Sequence, residues 1–221
     1  MPKQGYIPKE QKKKILFIGD DPNLFSGVSQ IVRETIYGTS HVYNYVCVGA
    51  AINHPYAGQR IDLSKQVDDT TGNTDSQVVL YPNNGYGDAR LIRQLIKAEK
   101  PDALLIITDP RYYDWLFRIE NEIRKQIPIM YLNIWDSTPS PLWNSAAYNS
   151  CDALFGISKQ TVNLNKIVLG DKSKNKVIKY IPHGLDETKF YPIKDPAIIS
   201  ATKKEYFGDK EPKFVVLFNS R

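Results

Sequence analysis

An α/β fold with a doubly wound, mostly parallel sheet follows from three features of this chain. Short apolar runs recur along it, segments of helical periodicity separate them, and turn residues stand at the junctions. The 221 residues are enough to bury a sizeable core. Apolar residues make up 42% and charged residues 24%, a balance that excludes disordered and fibrous chains.

Taken in order, the chain opens on Lys3, Lys9, Lys12, Lys13 and Lys14, which carry part of the net charge of +5. Residues 1–13 read as a basic flexible tail. A nucleic-acid or anionic-lipid face would continue into the fold with interleaved aromatics, and Asp20, Asp21 and Asp62 interrupt it. No apolar stretch reaches the length of a membrane span, and the first twelve residues lack the apolar region of a signal peptide, so the expected compartment is the cytoplasm. Cys47 and Cys151 have no paired spacing and read as buried thiols.

Seven strands are expected at Lys14 to Gly19, Val42 to Gly49, Gln77 to Tyr81, Ala103 to Ile107, Ile129 to Asn133, Ala153 to Ile157 and Val177 to Ile181. Helices are expected at Ser29 to Tyr37, Asp88 to Glu99, Tyr113 to Gln126, Pro141 to Asn149 and Lys159 to Val168. Ala51 to Ser76, with Gly58, Gly72 and many Asp, Thr and Asn, reads as a surface excursion. The alternation predicts one Rossmann-like domain over residues 14–192. Beyond it, residues 193–212 read as a linker with a helix at Pro196 to Phe207, and residues 213–221 as the first strand of a second domain.

Several strand ends carry residues suited to chemistry. Ser26, Gly27 and Val28 open the first helix, where free N–H groups and the helix dipole suit a phosphate, although Ser26 as a simple cap and Gly27 as a packing residue fit equally. Trp135 and Asp136 follow the fifth strand, with the indole suited either to stacking or to plugging the core. Ser158 caps a helix and has no base beside it in sequence, which argues against a nucleophile. His54 lies in a loop and His41 at a strand start. His183 and Gly184 end an apolar run expected to be a buried strand, where Gly184 reads as a position needing glycine's backbone freedom. No pair of histidines has zinc spacing, and no catalytic metal is expected. Asp20, Asp21 and Asp109, with Lys159, imitate the acidic Mg²⁺ pocket of a phosphoacceptor receiver, although seven strands are too many for one.

Tyr180, Ile181, Pro182, His183, Gly184, Leu185 and Asp186, followed by Phe190, Tyr191 and Pro192, resemble the I-P-N-G-V-D-x-x-x-F-x-P signature of retaining GT-B glycosyltransferases of the family-four type. His183 replaces the usual Asn, and Leu185 replaces Val or Ile. Ser26-Gly27-Val28 is similar to that family's G-G-V loop, and Asp152 to Ser158 to its A-D-x-x-x-x-x-S strand and cap. Trp135-Asp136 stands where many members have His-Asp, with the His near the reacting sugar, so this chain departs from the family pattern at that position. The Trp-Asp turn is also similar to a virus- and phage-encoded subgroup. Arg221 matches the Arg that ends the first strand of the donor domain.

The resemblance implies the N-terminal, acceptor-side half of a GT-B enzyme that moves a sugar from a nucleoside-diphosphate sugar to a hydroxyl acceptor with retention and without a separate cofactor. It implies Asp136 as the catalytic contact. Ser26, Gly27, Val28, His54, Trp135, Ser158, His183, Gly184 and Arg221 would then contact donor or acceptor. Such a half is expected to be inactive alone, and a non-catalytic carbohydrate- or nucleotide-binding module is the alternative.

Overall fold

The computed structural model describes residues 5–51, 53–187, 189–210, 212 and 214–218. The chain divides into two compact units, Met1–His183 and Gly184–Arg221. The division therefore falls before Phe190, Tyr191 and Pro192, earlier than the boundary expected after residue 192.

In the first unit the elements run β1 (Lys13–Asp20), α1 (Gly27–Thr39), β2 (Tyr43–Ala50), β3 (Ile61–Asp62), α2 (Ser64–Thr71), β4 (Val78–Pro82), α3 (Ala89–Glu99) and β5 (Ala103–Ile107). They continue with α4 (Asp114–Phe117), α5 (Glu120–Arg124), β6 (Ile129–Asn133), α6 (Ser145–Ser150), β7 (Ala153–Gly156), α7 (Lys159–Leu169) and β8 (Val177–Tyr180). One sheet takes the order β3-β4-β2-β1-β5-β6-β7-β8. Every neighbouring pair is parallel except β3 with β4.

That order explains where the helices lie. From β1 the chain steps one way to β2 and β4, then crosses back and steps the other way through β5 to β8. Right-handed crossovers place helices from opposite steps on opposite faces. Accordingly, Val32, Ile36 and Val67 of α1 and α2 pack on Ile15, Phe17, Tyr45 and Cys47. Ile92, Leu116, Ile123, Tyr148 and Val168 of α3 to α7 pack on Leu16, Ile18, Val46 and Leu104 from the other face. Both faces of the central strands are buried, which is why those strands read as unbroken apolar runs. Beside α1 the sheet face keeps an apolar hollow of about 600 Å³, lined by Ile15, Tyr45, Leu105, Met130, Leu132 and Phe155 among others.

Several expectations need correction. Residues 51–76 are not a bare excursion, since they hold β3 and α2. Only Val67 of α2 is buried, so its Ser, Asp and Thr content hid an apolar stripe too thin to read. The helix expected at Tyr113 to Gln126 is broken into a 3₁₀ turn at Pro110–Tyr113 and the short helices α4 and α5. The basic segment is packed where described: the Lys12 side chain is buried and pairs with Asp75 at 2.8 Å, and the Ile7 N–H donates to the His41 carbonyl at 3.0 Å. β8 is an exposed edge strand rather than a buried one.

The second unit holds α8 (Pro196–Phe207), as expected, with the Asp195 carboxylate accepting from the Ala197 N–H at 2.8 Å. No residue of α8 is buried. Phe214 to Phe218 form no strand, so the described part of the run expected to begin a second sheet is unpaired there.

Glycine matters most where β7 meets α7. A Cβ on Gly156 would lie 2.9 Å from both the Val162 backbone nitrogen and its Cγ2, and backbone cannot give way as a side-chain tip can. We predict that Gly156→Ala costs about 1–3 kcal/mol through overpacking. Gly27→Ala, which meets nothing within 4 Å at the first turn of α1, should be neutral or stabilising by about 0.5–1 kcal/mol. Urea unfolding of the two variants checks the contrast.

Candidate functional site

The sheet opens at its carboxyl edge between β1 and β5. Their pairing ends at Ile18 with Ile106, whereas β1 continues against β2 to Asp20 with Ala50. A crevice at the strand pair where the winding direction reverses is the place open α/β sheets offer to ligands. At its base the buried hydroxyl of Tyr113 donates to the Ile107 carbonyl at 2.6 Å and lies 3.2 Å from the Ile18 carbonyl, so the groups freed by the splay are not left dry and unpaired. Tyr131 donates to the next carbonyl, of Thr108, at 2.7 Å. Thr108 has φ +89°, a left-handed value that is costly for a β-branched residue, about 1–3 kcal/mol. These two tyrosines hold the strained strand end from below.

One wall of the crevice is the β1–α1 junction. The Ser26 hydroxyl accepts from the Ser29 N–H at 3.0 Å and donates to Asp20 Oδ2 at 2.8 Å. Ser26 is thus the N-cap of α1, a role worth about 1 kcal/mol. Gly27 is not a packing residue, because open space surrounds it, and its N–H and that of Val28 begin the first turn, where a helix has no acceptors of its own. Asp20 Oδ1 accepts from the Tyr86 hydroxyl at 2.8 Å. Burial, then that bond to a carboxylate, hold the Tyr86 hydroxyl well above its ordinary pKa. Tyr86 stacks on exposed Tyr112 at 4.5 Å and meets Tyr113 edge-on at 5.8 Å, so it bridges both sides of the crevice from a turn flanked by Gly85 and Gly87 at positive φ. Asp20, Tyr86 and Tyr112 were not read as one group from the sequence. The Gly-Tyr-Gly turn after a strand was the available signal.

Neighbouring Asp21 is almost fully buried; Oδ1 accepts from the Asn23 N–H at 2.8 Å, and Oδ2 has no hydrogen-bond partner among the described residues. Gly49 makes room for it, since a Cβ there would stand 2.7 Å from Oδ2. Both cysteines are buried and unpaired, as expected; burial, with the Asp21 charge adding, pushes the Cys47 thiol far up, and burial raises Cys151 to about 12, which keeps both thiols protonated and unreactive.

The second group of residues lies after β6. Buried Asn133 donates to the Tyr148 hydroxyl at 2.9 Å and to Asn165 Oδ1 at 2.6 Å, while its own Oδ1 accepts from the Trp135 N–H at 3.0 Å. Thr161 donates to the Trp135 carbonyl at 2.8 Å. With the Thr161 proton so used, the Ser158 hydroxyl donates to Thr161 Oγ1 at 2.9 Å and accepts from the Thr161 N–H, so Ser158 serves as the cap of α7. The half-buried Trp135 is pinned at three points, its indole N–H donating to the Ser137 carbonyl at 2.8 Å. Its ring meets that of exposed Trp143 at 5.8 Å and 72°. Asp136 is exposed. Trp143 was missed in the sequence because it falls inside an expected helix.

The remaining expected residues are more scattered. His54 Nδ1 accepts from the Tyr56 N–H at 3.1 Å, and the His54 backbone N–H donates to Asn84 Oδ1 at 3.0 Å. His183 is exposed, with enough neighbouring protein for desolvation to lower its pKa. Gly184 has no positive φ and open space around it, so its expected conformational need is absent. Arg221 lies outside the described residues.

The receiver-like pocket does not form. Asp20 is taken by Ser26 and Tyr86, and Asp109 pairs with Arg111 at 2.6 Å. Burial works to raise the Asp109 pKa, but the Arg111 bonds outweigh it and hold it below the ordinary range. Among the described residues no group of three or more His, Cys, Asp or Glu side chains could hold a metal ion.

No protein-family model matches the sequence, and no curated protein does. Solved structures do match. One is a trehalose-6-phosphate synthase from E. coli bound with UDP-2-fluoro glucose, at a TM-score of 0.51 and 10% identity, covering 88% of this chain and 54% of that one. Another is Medicago truncatula UGT71G1 complexed with UDP-glucose, at a TM-score of 0.41 and 14% identity, covering 88% of this chain and 57% of that one. With its mostly parallel sheet and the first of these likenesses, the chain has an α/β, Rossmann-like fold. It spans about half the length of the two solved structures. No helix among the described residues is long and apolar enough to cross a membrane.

Replacing Asn133 by Leu leaves Tyr148, Asn165 and the Trp135 N–H short of partners at once. We predict a loss of about 2–4 kcal/mol and a red shift of tryptophan emission as the Trp135 turn loosens. A variant of unchanged stability and emission would show that the network does not hold the turn.

Proposed function

We propose that the chain is the acceptor-side half of a retaining GT-B glycosyltransferase of the family-four type, which takes its sugar from a nucleoside-diphosphate sugar in the cytoplasm. The carrying observation is the β1–α1 junction: a strand at the sheet's reversal point ends in a crevice beside the open first turn of a helix of 13 residues. The Tyr180 to Pro192 signature supports the family, and the fold likeness is in keeping with it. Donor binding, on this reading, is completed by a second Rossmann domain to which Arg221 would contribute.

In this reading the N–H groups of Gly27 and Val28, at the positive end of α1, stabilise charge that builds on the leaving diphosphate as the glycosidic bond breaks. A leaving phosphate oxygen accepts the acceptor's proton on the same face, so the chemistry asks no nucleophile of this half. Asp136 orients an acceptor hydroxyl, while His54, Ser158, His183 and Gly184 stand on loops that face or support the substrates.

The expected outcome is that the 221-residue chain releases no nucleoside diphosphate from UDP-glucose or other nucleotide sugars with acceptor present. A polypeptide in which a second Rossmann domain follows Arg221 does so, and loses most of that activity on Asp136→Ala. Turnover by the 221-residue chain alone would overturn the half-enzyme reading.

A further inference from the structure

We propose that Trp135, Asp136 and Trp143 form a binding subsite for a neutral saccharide. Leu142 and Trp143 are adjacent large apolar residues with 61% and 62% of their surfaces exposed, on a 3₁₀ turn whose next residue, Asn144, is buried. Side by side they leave apolar surface next to a polar turn, which a ligand with one apolar face can cover. The neighbouring indole of Trp135 stands at 72° to that of Trp143, so the two rings form a corner rather than a flat stack. A corner of this kind offers ring faces to the C–H-rich face of a pyranose. Its orientation is fixed in advance, because the Trp135 N–H, carbonyl and indole N–H are all bonded. Such fixing lowers the ordering cost of binding.

Charge narrows the ligand. From Asn133 to Ser150, the stretch that carries both indoles, the chain has no Lys or Arg and one carboxylate, Asp136, which is exposed and followed by Ser137 and Thr138; the next cation along the chain is Lys159, at the start of α7. A phosphorylated or acidic ligand would meet no countercharge from this segment and one carboxylate. A neutral, hydroxyl-rich ring meets acceptors and hydroxyls suited to its O–H groups. A membrane surface is disfavoured for the same reason, since anionic headgroups attract clustered Lys and Arg. Taken with the glycosyltransferase reading, on which this step alone rests, the subsite makes the acceptor a neutral glycan or glycoside rather than a phosphorylated one.

The test is a titration of the 221-residue chain with maltose, cellobiose and lactose, read by tryptophan emission, with glucose 6-phosphate as the charged comparison. A saturable change is expected with at least one disaccharide and none with glucose 6-phosphate. Trp143→Ala should weaken binding about tenfold or more and Asp136→Asn several-fold, with the melting temperature of Trp143→Ala unchanged. No saturable response to any of the three, or a response that survives Trp143→Ala at full affinity, overturns the subsite. Nucleotide release by the two-domain polypeptide separates the claims: turnover without disaccharide binding removes the acceptor class alone, and disaccharide binding without turnover removes the enzyme reading alone.

Discussion

The pairing of β1 with β5 stops at Ile18 and Ile106, and most of the carboxyl edge is arranged around that stop. Parallel strands buried on both faces cannot leave carbonyls unpaired without a cost of about 1–3 kcal/mol each. The Tyr113 hydroxyl answers this at the splay, between Ile18 and Ile107. It also fixes the 3₁₀ turn that carries Tyr112, on which Tyr86 stacks, and Tyr86 in turn bonds Asp20 and so reaches the cap of α1. A chain of contacts therefore runs from the ladder's end to the first turn of the helix. The strained backbone of Thr108 sits within it, held by Tyr131.

A second buried polar group, Asn133 with Tyr148, Asn165, Thr161 and Ser158, does for the β6 turn what the tyrosines do for the crevice. Apolar packing alone would bury Trp135 in whatever orientation filled space best. Directional bonds to its backbone and indole choose one orientation and leave the loop beyond it, with Asp136, in solvent. Rigid strands below and polar pins at their tips together give this edge a fixed shape.

The strands were legible because a strand buried on both faces must be apolar throughout, as Leu104 to Ile107 are. The helices α1, α3 and α7 were legible because Ser26, Asp88 and Ser158 announce their starts. Pairing was not legible. Phe214 to Phe218 have strand composition, but a strand exists only with a partner, and the described chain pairs none with them. Nor were contacts between distant residues: Tyr86 and Asp20 are 66 positions apart, and no local pattern signals their bond. Of the candidate site, Ser26 and Trp135 could be named from strand-end position. What they touch could not.

The central claim is that ligands enter at the carboxyl edge around the β1–β5 crevice. Amide hydrogen exchange of residues 1–221 within the two-domain polypeptide, with and without saturating UDP, tests it most directly. Protection should concentrate in residues 20–28 and 85–87, at the α1 junction and the Tyr86 turn, with little change at the amino ends of the strands. Protection confined to the apolar hollow beside α1, or to the strands' amino ends, would contradict it.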